Sequence, residues 1–236
     1  MGQSYFIWNG MDCRNMGVTL AGPVALIRPE ERVQHVEIPG RSGDLTLLEG
    51  EYVYNSYIQT ATIQVKGGFH VRDVFRWLRG SGYVTFSGEP DRRQPARIIG
   101  AVTLDKHSHN IDTWVGEVQF YCQPLKEKLI EEQVTITGAQ DVYNYGDVTS
   151  RPRFAVVASD STIVLTVGAR SISMTDATSG VVYIFDSETM EVTDNLGTTQ
   201  LTMHTVGSFP LLDIGATYVT GSGWSTIVID KRERFL

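Results

Sequence analysis

The sequence predicts a mainly β chain of the sandwich or barrel kind, with one α-helix in its first half. Three observations predict it. Alternation of apolar and polar residues with period two dominates the chain. The alternating runs recur at short intervals, separated by Gly, Asp, Asn and Ser, as in sandwiches and barrels. A single segment switches to the helical period.

Taken in order, "YIQTATIQV" places Ala61, Ile63 and Val65 on one face and Thr62 and Gln64 on the other. In "RIIGAVTL", Ile98, Val102 and Leu104 fall together, and in "VQFYCQ" Val118, Phe120 and Cys122 do so. The runs "STIVLTV", "VVYIF", "QLTMHTV" and "STIVI" predict further strands in the second half. The helical segment is "HVRDVFRWLRGSG". There Val71, Val74, Phe75 and Leu78 make one apolar stripe, Arg72, Asp73, Arg76 and Arg79 lie outside it, and Gly80 suits the left-handed residue that ends a helix. Pro124 and the charge cluster in "CQPLKEKLIEEQ" mark a linker. The expected domains are residues 1–127 and 128–236.

The stretch between Arg28 and Tyr57 has a different character. Pro39, Gly40 and Gly43 suit a turn or bulge between a lead-in and the lead-out "LTLLEG". The lead-in alternates Val33, His35 and Glu37 against Gln34, Val36 and Ile38, and neither face of it is clearly apolar. A long hairpin without an internal face is marginal alone and needs another surface to cover it. The residues alone leave two readings open: an ordinary surface hairpin, or an arm held elsewhere.

Composition narrows the function classes. The chain has 236 residues and a formal net charge of -7. Residues 1–127 hold 13 basic against 14 acidic side chains, net -1, and residues 128–236 hold 7 against 13, net -6. A protein gripping nucleic acid by its phosphates carries the opposite bias. No apolar run reaches the roughly 18 residues a bilayer span needs. "MGQSYFIWNGMD" is not expected to act as a secretion signal. The two cysteines, Cys13 and Cys122, suit neither a metal site nor a disulfide framework. Cys122 is expected to face a core as a free thiol, in a chain that folds in a reducing cytoplasm.

Candidate chemistry is sparse. Glu30–Glu31 and Glu131–Glu132 are neighbours, so on strands they point apart and make poor acid–base couples. His107 and His109, with Asp105 as a third ligand, have strand spacing for a metal. A polar turn between two strands explains them more simply, and no metal or cofactor is expected. Arg72, Arg76 and Arg79, with Arg92, Arg93 and Arg97, could contact phosphates, but the neutral balance of this half favours solvated or ion-paired roles. Trp8, Trp77, Trp114 and Trp224 are scattered, as core and interface tryptophans are.

The order of motifs resembles the distal tail protein family of long, flexible-tailed bacteriophages. "FIWNGMDCRNMGV" resembles its aromatic-Asn-Gly-x-Asp opening, and "EIPGRSGDL" its Pro-Gly-Arg-x-Gly turn. "FRWLRGSGYVTFSGEPDR" resembles its helix, strand and polar loop, and "VQFYCQP" the close of its first domain. "YNYGDVTSRPRF", "VVYIFDSETMEVTDN" and "GSFPLLDIGATYV" resemble elements of its second domain. The matches run from Phe6 to Val219. One departure is Ile214, Gly215, Ala216 and Thr217, where the family often has Pro-Gly-x-Asn.

The resemblance implies two β-sandwich-like domains, the first with one helix and a hairpin arm, the second galectin-like. It implies a hexameric ring at the tail's far end, without enzymatic activity, closed by arms that each reach a neighbour. The arm residues expected at that interface are Val33, His35, Ile38, Pro39, Gly40, Arg41, Gly43, Asp44, Leu45 and Leu47. Expected partners are further copies of the chain, the major tail tube protein, the tip or baseplate protein and a receptor-binding protein, within the virion. DNA would pass through without specific binding, and no membrane is involved. The second half lacks an evident His…Asn-x-Arg…Trp…Glu sugar set. A carbohydrate-binding adsorption module is the alternative function, for which an exposed aromatic near Trp224 would speak. An enzyme acting on cell-wall polymer is a third reading, disfavoured by the missing paired carboxylates and metal motif.

Overall fold

The structure is a computed structural model that describes residues 4–66, 71–108, 111–196 and 200–236. The chain forms two compact units, Met1–Leu129 with Leu236, and Ile130–Phe235. No helix among the described residues is long and apolar enough to cross a membrane.

The first unit holds β1 (Phe6–Trp8), β2 (Met11–Asp12), β3 (Val18–Leu20), β4 (Val33–Val36), β5 (Leu45–Leu48), β6 (Tyr57–Lys66), α1 (Val71–Trp77), β7 (Ser81–Phe86), β8 (Arg92–Ser108), β9 (Ile111–Cys122) and β10 (Lys126–Lys128). Its main sheet runs β2-β1-β7-β8-β9-β6-β3, all antiparallel, and β10 returns along the start of β8. Laid flat, seven strands would set the two edges about 29 Å apart. Yet the edges, β2 and β3, are joined only by a 3-10 turn over Cys13–Met16, which at about 2 Å per residue spans far less. The sheet therefore curls over itself, and its concave face holds the core: Phe6, Trp8, Ile63, Val65, Val118 and Phe120 are all fully buried there.

One sequence reading survives a break in register, and one meets a local correction. In β8 the register moves from Ile99 opposite Gln119 to Thr103 opposite Glu117. Two extra residues enter, so the parity of the pleat survives, and Ile98, Val102 and Leu104 all reach the core as expected. In α1 the buried stripe is Val74 and Leu78, with Val71 and Trp77 packed beside them, while Phe75 is 40% exposed. Trp77 takes the inward place because its ring stacks on Phe6 at 5.5 Å and 11°. Its Nε1–H donates to the Trp8 carbonyl at 3.4 Å. Gly80 ends the turn with φ +78.

The second unit is a sandwich of β11 (Gln133–Ile136), β12 (Gln140–Asn144), β13 (Arg153–Ala158), β14 (Ile163–Val167), β15 (Arg170–Met174), β16 (Val182–Asp186), β17 (Glu191–Asp194), β18 (Thr205–Gly207), β19 (Gly215–Ser222) and β20 (Trp224–Asp230), and it ends in β21 (Arg234–Phe235), which lies in neither sheet of the sandwich. One five-stranded sheet has the order β11-β20-β13-β16-β17, the other β12-β19-β14-β15-β18. Phe154, Val156, Phe185, Ile227 and Ile229 of the first face Leu165, Val167, Ile172, Met174 and Val219 of the second. The expected strand "QLTMHTV" is instead a 3-10 turn, Thr202–His204, followed by the short β18. Gln200 still bridges to Thr193 at the end of the first sheet, whereas β18 pairs with β15 of the second. A segment that changes sheets has to leave strand geometry in between.

Candidate assembly surface

β4 and β5 form a two-stranded sheet of their own, the hairpin expected between Arg28 and Tyr57. Its base is tied down. The Arg32 N–H donates to the Val53 carbonyl at 2.9 Å and the Asn55 N–H to the Glu30 carbonyl at 2.8 Å. The Arg32 Nε–H donates to Asn55 Oδ1 at 3.2 Å. Glu31 bridges to Tyr54, which is buried. Beyond the base, Val33 stands opposite Leu48. Between these two pairs the outgoing strand advances two residues and the returning strand six. The loop that takes up the difference contains Gly50 at φ +141 and Tyr52 at φ +61.

The tip has the geometry that the sequence prescribes. Pro39 and Gly40 occupy the two central turn positions, Gly40 has φ +85, and the Arg41 N–H donates to the Ile38 carbonyl at 3.1 Å. Proline followed by a residue of positive φ defines a type II turn.

Pairing sorts the arm's side chains. Gln34 opposes Leu47 and Val36 opposes Leu45, so Val36, Leu45 and Leu47 share one face. Val33 with Leu48 and His35 with Thr46 make the other face, where Thr46 Oγ1 lies 3.3 Å from His35 Nδ1. The lead-in strand read by itself showed no apolar face; the partner strand supplies one. Most of that face is open to solvent: Val36 and Ile38 are 40% exposed and Leu47 44%, while Leu45 is half-buried; on the opposite face Leu48 is 64% exposed. Of the expected interface residues, Val33 and Leu45 are half-buried, while His35, Ile38, Pro39, Gly40, Arg41, Gly43, Asp44 and Leu47 are exposed. Val36 and Leu48 were not among them. Their alternation was visible, but their companions on the same face depend on register.

The other candidates fall out differently. His109 and the side chain of His107 lie outside the described residues, and Asp105 is exposed on β8. Three of the six candidate arginines are ion-paired within the unit: Arg76 with Asp73 at 3.1 Å, Arg92 with Glu89 at 3.0 Å and Arg93 with Glu127 at 3.1 Å. Cys13 and Cys122 are buried free thiols. Burial pushes the Cys122 thiol up to about 12 and raises that of Cys13. Trp224 does not present an open ring; it is half-buried against the sandwich core. The exposed aromatics of this unit are Tyr143, Tyr145 and Tyr218, on β12, just beyond it and on β19.

No family model matches the chain, and no curated protein matches it by sequence. Among solved structures, the chain is similar to the crystal structure of SPP1 Dit (gp 19.1), described as a paradigm of the hub adsorption apparatus in phages that infect Gram-positive bacteria. The likeness has a TM-score of 0.79 at 18% identity and covers 100% of both chains. From end to end, this protein is built on the fold of a phage distal tail protein.

Proposed function

We propose that the protein is a structural, non-enzymatic component of a phage tail, forming a ring of six copies at the tail's far end. In this reading the ring joins the tube of major tail protein to the tip or baseplate proteins, with a receptor-binding protein beyond them. The protein assembles in the host cytoplasm and resides in the virion. Three things support it: the ordered motifs from Phe6 to Val219, the full-length likeness to the hub protein SPP1 Dit, and the arm. Residues 1–127 and 128–236 then serve as ring-forming and peripheral domains.

The arm carries the proposal. A two-stranded ribbon with Val36, Ile38 and Leu47 open to solvent has no core of its own, and hairpins of this size are marginal without cover. Laid on the next copy, it would bury that face and supply main-chain hydrogen bonds. A head-to-tail contact repeated around an axis closes into a ring. A neutral or acidic channel lets DNA slide without sticking, in keeping with the acidic balance of the chain.

Deleting Gln34–Thr46 tests this. Light scattering and negative-stain images of the purified wild type, alone and with tail components, are expected to show rings, and the deletion to give soluble monomers. Rings that persist in the deletion would remove the arm from the closure mechanism. A wild type that stays monomeric even with tail components would end the hub reading.

A further inference from the structure

We infer that the open edge of β6 and the cavity beside it receive strand β4 of a second copy, in antiparallel register with Gln34 facing Gln59. The inference rests on the proposal that the arm lies on the next copy, and names where it lies. In β6 the main-chain groups of alternate residues face β3: the Ala21 N–H donates to the Thr62 carbonyl at 2.9 Å and the Lys66 N–H to the Gly17 carbonyl at 3.1 Å. Those of Ile58 and Thr60 point the same way, and neither has a main-chain partner on that side among the described residues. Both residues are exposed. An open strand edge of this kind is a template for another strand.

The edge is open because the chain beside it turns away. Residues 22–29 lie between two tethers, Ala21 to Thr62 and the Asn55 N–H to the Glu30 carbonyl at 2.8 Å, so eight residues stand against the six of 56–61. The excess lifts them off the edge: Leu26 reaches over to Gly88, its Cδ2 3.7 Å from where a Cβ there would stand. Between this segment and β6 lies a cavity of about 410 Å³, lined by Val24 and Leu26 and by Tyr57, Gln59 and Phe86, a size that suits an occupant. The charges at its rim are matched, Glu89 taking Lys126 at 2.6 Å and Arg92 at 3.0 Å. Gln94, 3% exposed, is bonded to the Tyr57 hydroxyl and the Gln123 carbonyl. Gln59 is 4% exposed, and its amide has no partner among the described residues. A buried amide left unpaired is costly, and here it borders a space that a neighbour can fill.

The arm of another copy offers what is missing. Among the described strands β4 pairs with β5 alone, so its other edge is free. The Glu49 N–H donates to the Arg32 carbonyl at 3.4 Å, which turns the main chain of Arg32, Gln34 and Val36 towards β5 and that of Val33 and His35 outwards. Antiparallel pairing of the two open edges sets Val33 opposite Thr60 and His35 opposite Ile58. Residues opposite one another share a face, so Gln34 falls opposite Gln59 and Val36 opposite Tyr57, on the cavity side. The other parity would have sent His35 and Glu37 into the cavity and the apolar face of the arm into water. Instead a carboxamide, with donor and acceptor together, answers the unpaired amide of Gln59. Val36 and Leu47 come to the side of Leu26, which is 69% exposed. A small molecule would satisfy Gln59 but leave the main chain of Ile58 and Thr60 unpaired.

The test is a double variant of the full chain, Gln34→Cys with Gln59→Cys, under the conditions in which rings form. Opposite residues of a non-hydrogen-bonded antiparallel pair have Cα atoms about 4.5 Å apart, within disulfide reach, and the native Cys13 and Cys122 are buried. Mild oxidation is expected to link copies into a ladder on non-reducing gels, and neither single variant is expected to do so. Thr60→Pro removes an N–H that is unpaired in its own chain, a change that an edge strand tolerates. It is expected to weaken association at least tenfold with the melting temperature unchanged. Should Thr60→Pro unfold, the cross-link alone decides. The site is overturned, with the ring reading intact, if rings form but the double variant does not cross-link, or if a folded Thr60→Pro assembles like the wild type. A wild type that forms no ring even with tail components overturns both.

Discussion

Val36 stands directly across the arm hairpin from Leu45, on the same face as Leu47, and both Val36 and Leu47 are exposed to solvent. On the proposed reading this face is one side of the contact between neighbouring copies. Leu47→Asp should therefore weaken self-association by tenfold or more, about 1.4 kcal/mol or above. The melting temperature of the monomer should not move, because the side chain is already in water. Sedimentation velocity and thermal denaturation read the two effects apart. A fall in melting temperature with association intact would place Leu47 against its own body.

The helix makes a second pair of opposed expectations. Trp77 stacks on Phe6, while Phe75 points outward. Trp77→Ala should cost about 3 kcal/mol, whereas Phe75→Ser should stay within about 0.5 kcal/mol. Urea denaturation decides it. Equal losses would restore the stripe that simple periodicity favours.

Gly116 pairs with Leu104, just past the two-residue bulge of β8. A Cβ there would overlap the Thr103 carbonyl, with Leu104 close behind. Since the Thr103 carbonyl belongs to a backbone held in a ladder, Gly116→Ala should destabilise the first unit by about 2 kcal/mol or more. Intrinsic tryptophan fluorescence during chemical unfolding would report it, and an unchanged midpoint would mean that the bulge can move aside.

Asp186 takes two hydrogen bonds from Arg232, at 2.7 and 2.8 Å. Burial alone would raise its carboxyl, but the Arg232 bonds and the backbone N–H groups of Glu188 and Thr189 outweigh burial and hold it below the usual range. A depressed carboxyl adds stability that is fully present above its unfolded value, about 3.9, and is lost as pH falls through the lower folded value. Asp186→Asn should thus cost about 2 kcal/mol at pH 7, a gap that narrows only below about pH 4. Denaturation at pH 7, 5 and 3 checks this. A gap already closed at pH 5 would contradict the assignment.

Cys122, raised to about 12, and Cys13 should resist thiol reagents at pH 8 in the native protein. Both should react at once in urea. Rapid native labelling of either would show local opening of the β6–β9 region or of the turn at Cys13–Met16.

Much of the fold was legible because period two reports burial directly. Ala61, Ile63 and Val65, and Val118, Phe120 and Cys122, needed only counting to be placed on a core face. So did the turn at Pro39–Gly40, whose backbone demands are local. The apolar face of the arm was not legible, since it is assembled from two strands whose register follows from the turn and the ladder together. The outward turn of Phe75 came from competition for one site, won by the ring that could stack on Phe6. "QLTMHTV" alternates like a strand, yet it bridges two sheets, and only their separation in space shows that it must bend. Periodicity, turns and charge are properties of the chain taken a few residues at a time, and the sequence by itself determined those. Register, the identity of the side chain that fills a gap, and the cavity beside Gln59 depend on segments distant in sequence meeting at fixed distances, and only the tertiary structure decided them.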